Sequence, residues 1–425
     1  MKYYDYDERQ SKKIPYDKEP IVRQTSYNNK KANKSSGGGA PSKALVFVVG
    51  ILIVLNLILS FLIMGVIRDG SGTKINNTTV NITSSGVLDI AAVTSKAKMS
   101  TVCVHAGYTN ESTEEPNYQG FFKMSSKGSG VIFEDDKEAG VAYIITCHHV
   151  VKGYTTQVYV LLHDSFIPIK ATFIGSSKAH DIAVLKIESD GEYQKSTSKA
   201  CDIADSALCT LGEGAVAIGN PLGMGFSSTN GVVSSLTDLV SFDGIVRRVM
   251  RTSAAINGGN SGGGLYNARG ELIGIVNAKG VDNPNQNNYV DNIGYAIPSN
   301  VAHNLAKNIL INGRNPVKAV LGISMLVSSE GIKEDIIEGV RVPVQKVVIS
   351  EVESGSAADK AGLELNDHIT AFMYGDKLVN VTNIYSFEDH AFAINKGDSV
   401  TFYIERNGRS LQKVVVIEET ISSES

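Results

Sequence analysis

The stretch "INGGNSGGGL", residues 256 to 265, sets one serine, Ser261, among five glycines in ten positions. A serine hydroxyl is a poor nucleophile until a neighbouring imidazole takes its proton, and neutral imidazole is available for that near pH 7. Two upstream segments supply candidates. "IITCHHVV" ends an apolar run at His148 and His149, and "AHDIAVLKI" opens another at Asp181, a carboxylate able to fix an imidazole tautomer. A second glycine-rich stretch, "KSSGGGAPSK" at 34–43, has a similar composition but polar flanks, and reads as a linker.

"GNSGGGL" also contains G-x-S-x-G, the nucleophile-elbow pattern, which requires a strand, a tight turn and a helix, with the acid and histidine after the serine. The residues after Ser261, "GLYNARGELIGIV", are instead two strand-like runs around a turn. An elbow would have to use His303, His368 or His390, whereas the best acid and base precede the serine. The order His, Asp, Ser is that of a double β-barrel hydrolase whose three groups meet in the cleft between barrels.

The elements that must hold these groups read as β-structure. From about Val87 to 297, short runs such as "STVCVHA", "GSGVIFE", "AYIITC", "KATFIGS", "IAVLKI", "GAVAIG" and "ELIGIV" are separated by Gly, Asn and Asp turns, which predicts a sandwich or barrel. One helix follows in "PSNVAHNLAKNILING", with Ser299 as its cap and Val301, Leu305 and Ile309 on one face. A second unit spans about 318–418, with strands in "VLGISML", "VQKVVISEV", "HITAFMY", "SVTFYIER" and "LQKVVVIE". Its helical patterns are "SAADKAGL" and "IYSFEDHAFAIN", and "ETISSES" reads as a loose tail.

Ahead of both units, residues 44–67 run 24 positions without a charge, about 36 Å as a helix against a hydrocarbon core of about 30 Å. Forty-three residues precede this run, so it reads as a retained transmembrane anchor and not a cleaved signal. The first 43 residues carry ten Lys/Arg against five Asp/Glu; the remainder carries 30 against 39. The positive-inside rule therefore puts a disordered tail (1–43) in the cytoplasm, and everything after the anchor, beginning with a polar linker (68–87), outside the cell membrane. The acidic ectodomain argues against nucleic acid as a partner. Cys103, Cys147, Cys201 and Cys209 fit no zinc spacing, and leave open a Cys201–Cys209 bridge or four free thiols.

"YIITCHHVV", "HDIAVLKI", "AIGNPLG", "RTSAAINGGNSGGGL" and "IGYAIPSN" occur in the order and at about the spacings of the HtrA (Deg) family of trypsin-like serine proteases. The resemblance covers about 90–310. The second unit, through "LGI" and "SGSAADKAGLELND", resembles the PDZ domain that follows in that family. The implied fold is mainly β, a trypsin-like double β-barrel protease domain (88–312) followed by an α+β PDZ domain (318–418), with an N-terminal transmembrane helix. The implied activity is a serine endopeptidase acting by acyl-enzyme hydrolysis on unfolded or damaged extracytoplasmic proteins, with no cofactor and no metal. A catalytically silent, surface-anchored peptide-binding scaffold is the alternative.

Carried over residue by residue, the resemblance makes His149 the base, because the family's histidine directly precedes Val-Val or Val-Ile, and it makes Asp181 the acid and Ser261 the nucleophile. The backbone amides of Gly259 and Ser261 become the oxyanion hole. The position six residues before the serine, the base of the specificity pocket in trypsin-like folds, is Ala255, with Ile256 beside it and Asn277 and Ala278 on the opposite wall. No carboxylate stands there to select Lys or Arg unless Asp282 reaches in, so cleavage after aliphatic residues is expected. In the PDZ-like unit, Val320, Leu321, Gly322 and Ile323 match the loop that receives a peptide's C-terminal carboxylate. Homotrimers or larger homo-oligomers are implied. The sequence departs from the family at Ser253, where Asp is usual, and at Gly258 and Gly264, where Pro is usual, which predicts a loosened oxyanion loop.

Overall fold

The computed structural model describes residues 88–107, 118–189, 191–220, 226–283, 288–313 and 316–422, with the side chains of 278–291 left aside. The tail, the apolar run 44–67 and the linker to residue 87 lie outside them. Among the described residues, no helix is long and apolar enough to cross a membrane.

Helix α1 (Ile90–Ala97), capped by the Asp89 carboxylate on the Ala92 amide, leads into the first strand. Six antiparallel strands then close a barrel in the order β1-β2-β3-β6-β5-β4: β1 (Thr101–Ala106), β2 (Ser126–Asp136), β3 (Val141–Cys147), β4 (Val158–Leu161), β5 (Ile169–Ser177) and β6 (Ile182–Glu188). A second barrel closes as β10-β11-β12-β9-β8-β7, from β7 (Gly214–Gly219), β8 (Ser227–Phe242), β9 (Ile245–Thr252), β10 (Gly264–Tyr266), β11 (Leu272–Asn283) and β12 (Asn288–Pro298). Closure leaves no edge strand unpaired.

Each barrel has its own core. Val102, Ile144, Ile145, Val184 and Leu185 are fully buried in the first, and Ala215, Val233, Leu265, Ile273, Val276 and Ala296 fill the second. β6 reads as an uninterrupted apolar run because both of its faces are covered: α2 (Ser299–Asn312) lays Leu305 and Ile309 on the outside of the first barrel and joins the same core. The expected cap of α2 differs. Pro298 occupies the cap position, and the Ser299 hydroxyl donates to the Ala204 carbonyl at 2.7 Å, tying the helix to the inter-barrel connection.

The C-terminal unit is a six-stranded sheet in the order β14-β15-β16-β18-β19, with β17 paired to β16 off this path. It is built from β14 (Ile323–Ile337), β15 (Val340–Val352), β16 (His368–Tyr374), β17 (Lys377–Asn380), β18 (Ser399–Arg406) and β19 (Arg409–Val416) around Phe372, Phe402 and Ile404. Two expectations fail here. Residues 419–422 are no loose tail: β20 (Glu419–Ser422) pairs antiparallel with β13 (Val317–Val320), so the unit runs past residue 418. "IYSFEDHAFAIN" forms successive turns and a 3₁₀ turn at Ala391–Ala393, not an α-helix. Ser386 Oγ accepts from the amides of Thr382 and Asn383, and Asn383 Oδ1 from that of Tyr385, local bonds that compete with helix formation. This segment faces α2 and β9: Asn304 and Asn308 donate to the carbonyls of Asp389 and Phe392, and Arg248 pairs with the buried Asp389.

Candidate active site

The first barrel contributes an imidazole and a carboxylate. β3 ends at Cys147 and is followed by a single helical turn, His148–Val151, held down by buried Val150 and Val151. The turn sends its two histidines to different partners: His148 Nδ1 lies 2.9 Å from Ser176 Oγ, whereas His149 Nδ1 lies 2.7 Å from Asp181 Oδ2. Asp181 Oδ1 also accepts from the His149 amide at 2.9 Å, so one carboxylate grips both the ring and the backbone of that residue. Asp181 precedes β6 with φ of 55°, left-handed backbone that Asp tolerates better than most residues.

A carboxylate at Nδ1 requires the proton there and leaves Nε2 as the acceptor, on a ring whose side chain is 45% exposed. Asp181 is itself buried. Burial works to raise its carboxyl, but the hydrogen bonds and charge of His149, with Arg247 further away, outweigh it and hold the group below the usual carboxylate range.

The second barrel contributes the serine loop, between β9 and β10. The Asn260 amide donates to the Asn257 carbonyl at 3.0 Å, closing a four-residue turn whose third residue is Gly259 at φ 95°, the position where a type II turn demands a positive φ. Gly262 answers to a second constraint. At φ 86°, a Cβ there would lie 2.1 Å from the Ser129 carbonyl oxygen on β2, so only glycine passes between the loop and the first barrel. Among the described residues the amides of Gly259 and Ser261 have no acceptor, and the loop therefore presents two free donors. The Ser261 hydroxyl donates to the Asn277 carbonyl at 2.9 Å, and among the described contacts none joins it to His149.

Asn277 connects the two halves. Expected on a pocket wall, its side chain instead turns inward, 2% exposed, and Nδ2 donates to Asp181 Oδ2 at 2.6 Å. The cause is a break in the β11–β12 register between Val276 and Ala278, which adds a residue to β11 and re-aims it. Ile256 also departs from its expected place: it is 3% exposed in the second barrel's core, packed where a Cβ on Gly294 would meet it. Ala255 is exposed, with its carbonyl accepting from Thr229 Oγ1 at 2.8 Å. Ala278 lies on β11 opposite Tyr295, but its side chain, like that of Asp282, is outside the described residues.

Three further residues take part: Arg247 and Ser129, which no sequence motif singles out, and Asn220, which stands in "AIGNPLG" without a role of its own. Arg247 on β9 reaches the other barrel and donates from Nε to the Ala179 carbonyl and from Nη2 to that of Lys178, bracing the loop that ends in Asp181. Ser129 on β2 bonds the serine loop, and its hydroxyl accepts from the amide of Asn220 after β7. Only the "GSG" at 128–130 hinted that backbone passes close there. The four cysteines are all free. Cys147, His149 and Asp181 bring one potential metal-ligand atom each within 4.8 Å, but each is already engaged: the Cys147 thiol, pushed well up by burial, donates to the Val276 carbonyl, and the other two hold each other. The constellation can take a proton from a hydroxyl, stabilise the imidazolium that forms, and hold an oxyanion on two amides.

The second predicted site lies in the C-terminal unit. Val320, Leu321, Gly322 and Ile323 line a groove of about 620 Å³ whose other walls include Met325, Phe387 and Ala391. Gly322, at φ 76°, passes so close to Ser356 that a Cβ would lie 2.2 Å from that side chain. β14 pairs only with β15, and its other edge is open to an added strand.

Residues 128–275 match the family model described as a trypsin-like peptidase domain. The chain is 32% identical over 375 residues to the serine protease Do-like HtrA of Lactococcus lactis subsp. cremoris (strain MG1363), covering 83% of this chain and 87% of that protein. It is 36% identical over 311 residues to the protein of the same description from Bacillus subtilis (strain 168), covering 69% and 64%. To the periplasmic pH-dependent serine endoprotease DegQ of Escherichia coli (strain K12) it is 34% identical over 298 residues, covering 70% and 60%.

Proposed function

The chain belongs to the HtrA family of trypsin-like serine proteases and is a serine endopeptidase, and from that premise we propose that it is anchored in the cell membrane and cleaves unfolded or damaged proteins outside the cytoplasm. Ser261 is the nucleophile, His149 the general base and Asp181 its orienting acid. The amides of Gly259 and Ser261 bind the oxyanion. The observation that carries this assignment is the His149–Asp181–Asn277 chain of hydrogen bonds, which ends on the Ser261 hydroxyl in the cleft between two closed barrels.

In acylation, the Ser261 hydroxyl leaves the Asn277 carbonyl, gives its proton to His149 Nε2 and adds to the scissile carbonyl carbon. The carbonyl oxygen becomes the anion that the two free amides receive. His149 then protonates the leaving amine, and water hydrolyses the acyl-enzyme by the same base.

Anchoring is supported by the uncharged run 44–67 and the excess of positive charge before it. Residues 318–418, with the strand that follows, are read as a PDZ domain that takes peptide C-termini and regulates cleavage, supported by the groove at Leu321–Gly322–Ile323 and the open edge of β14. Homotrimers are carried over from the resemblance alone.

The test is digestion of unfolded casein by the full-length protein beside its variants. Ser261→Ala and His149→Ala each abolish cleavage, because the groups act as a unit, while His148→Asn retains it. Loss with His148→Asn and activity with His149→Ala would reverse the assignment of the base. Mass spectrometry of the fragments reads specificity, and a majority of cuts after Lys or Arg would refute an aliphatic pocket built on Ala255.

A further inference from the structure

The missing prolines at 258 and 264 predict a loose serine loop, yet the loop is fastened: besides its own turn bonds and the pairing of Gly262 and Gly263 with Val276, one buried residue of the opposite barrel holds it. Ser129 on β2 is fully buried and uses every polar group it has. Its hydroxyl donates to the Gly259 carbonyl at 2.7 Å and accepts from the Asn220 amide at 2.8 Å. Its amide donates to the Ser261 carbonyl at 2.8 Å, and its carbonyl accepts from Thr146 Oγ1 at 2.7 Å.

The pattern along the loop gives these bonds their meaning. Four successive peptide planes run from Gly258 to Gly262. The first and third carry the free amides of Gly259 and Ser261. The second and fourth carry the carbonyls of Gly259 and Ser261, the two that Ser129 holds. Holding the second and fourth planes brackets the third, which carries the Ser261 amide, and anchors one Cα of the first, which carries the Gly259 amide, since neighbouring planes share a Cα. The support behind Ser129 is itself buried and bonded: Asn220 Nδ2 lies 2.8 Å from Nε2 of His105, a buried ring stacked on Phe121.

We propose that Ser129 is a positioning residue for the transition state, holding alternate peptide planes of the serine loop so that the Gly259 and Ser261 amides converge on the developing oxyanion. This rests on the reading of Ser261 as nucleophile and of those two amides as oxyanion donors. Because the bond is made to the loop and not to substrate, its loss falls on kcat and leaves KM little changed.

The experiment compares full-length wild type with Ser129→Ala and Ser129→Cys. Cysteine keeps the volume but donates weakly, so it separates the hydroxyl's bond from the space it fills. Each protein is assayed for kcat and KM, for melting temperature, and for inhibition by a peptide aldehyde and by the corresponding peptide alcohol. The aldehyde forms a tetrahedral adduct, with Ser261 Oγ bonded to its carbon, the proton on His149 and the anion on its oxygen. The alcohol occupies the same subsites without forming one.

Both variants are expected to lose about 10- to 100-fold in kcat and in aldehyde affinity, with KM and alcohol affinity within about threefold of wild type, a loss below that of deleting an oxyanion donor outright. Unchanged kcat in either folded variant overturns the proposal, as does recovery of wild-type kcat in Ser129→Cys when Ser129→Ala has lost it. A loss of equal size for aldehyde and alcohol also overturns it. Failure of a fluorophosphonate to label wild-type Ser261 would instead sink the underlying assignment of the nucleophile.

Discussion

His105 provides a test in which acid acts on a known group with a known sign. The ring lies on β1, fully buried, its Nδ1 donating to the Phe121 carbonyl at 2.8 Å and its Nε2 accepting from Asn220 Nδ2. Burial pushes its pKa down to about 4; the Phe121 carbonyl opposes this and Lys127, its partner across the β1–β2 ladder, adds to it. The unfolded chain protonates a histidine near pH 6.5, so below that pH the unfolded state binds a proton that the folded state refuses. The stabilisation is complete above about pH 6.5 and is lost as pH falls toward 4. Between those limits one ring accounts for about 3 kcal/mol, and moving from pH 7 to pH 5 removes about 2 kcal/mol of it.

The assay is urea denaturation of wild type and His105→Gln at pH 7 and pH 5. Whatever the substitution costs at pH 7, the drop between the two pH values should shrink by about 2 kcal/mol in the variant, because its side chain does not titrate. His390, also buried and pushed down to about 4, stays in both proteins and cancels. An equal pH-dependent drop in the two proteins would refute the reasoning, showing that the buried ring is either protonated in the folded state or reached by solvent.

Three further outcomes follow from other buried groups. Arg248→Ala strands the Asp389 carboxylate, whose side chain is 5% exposed, and should cost about 3–5 kcal/mol by urea denaturation. Arg248→Met with Asp389→Leu should recover most of that loss, and no recovery would show that the pair does more than neutralise itself. Asn277→Ala removes a donor to the buried Asp181 carboxylate and should lower stability by about 1.5–3 kcal/mol together with kcat, read by denaturation and casein digestion. The thiols should resist Ellman's reagent in the folded protein and all four react once it is unfolded, since burial raises Cys201 to about 12 and pushes up the other three as well. Fewer than four reactive thiols in denaturant would reveal a disulfide.

What the sequence disclosed and what it hid divide along one physical line. Ser261, His149 and Asp181 were legible because each sits in a short segment whose local chemistry is peculiar: glycines forced by close approach, a histidine closing an apolar strand, an aspartate opening one. The strands were legible for the same reason, since β3 and β6 carry their apolar pattern within seven residues each. β20 was missed because "ETIS" holds one apolar residue and becomes a strand only through β13, about a hundred residues earlier.

Asn277 was misplaced because strand alternation assigns it one face and a bulge, which no local pattern announces, gives it the other. Ser129 and Arg247 were missed because what they do is done to backbone on the opposite barrel. The carbonyls of Gly259 and Ser261 lie some 130 positions from Ser129, and those of Lys178 and Ala179 nearly 70 from Arg247. A bond from side chain to carbonyl makes no demand on the identity of the residue it reaches, so it leaves no mark at the receiving end. The groups proposed to perform the chemistry can therefore be read from the chain, while the groups proposed to aim them become visible only once the two barrels face each other. The second class is where substitutions should alter rate without altering any recognisable motif.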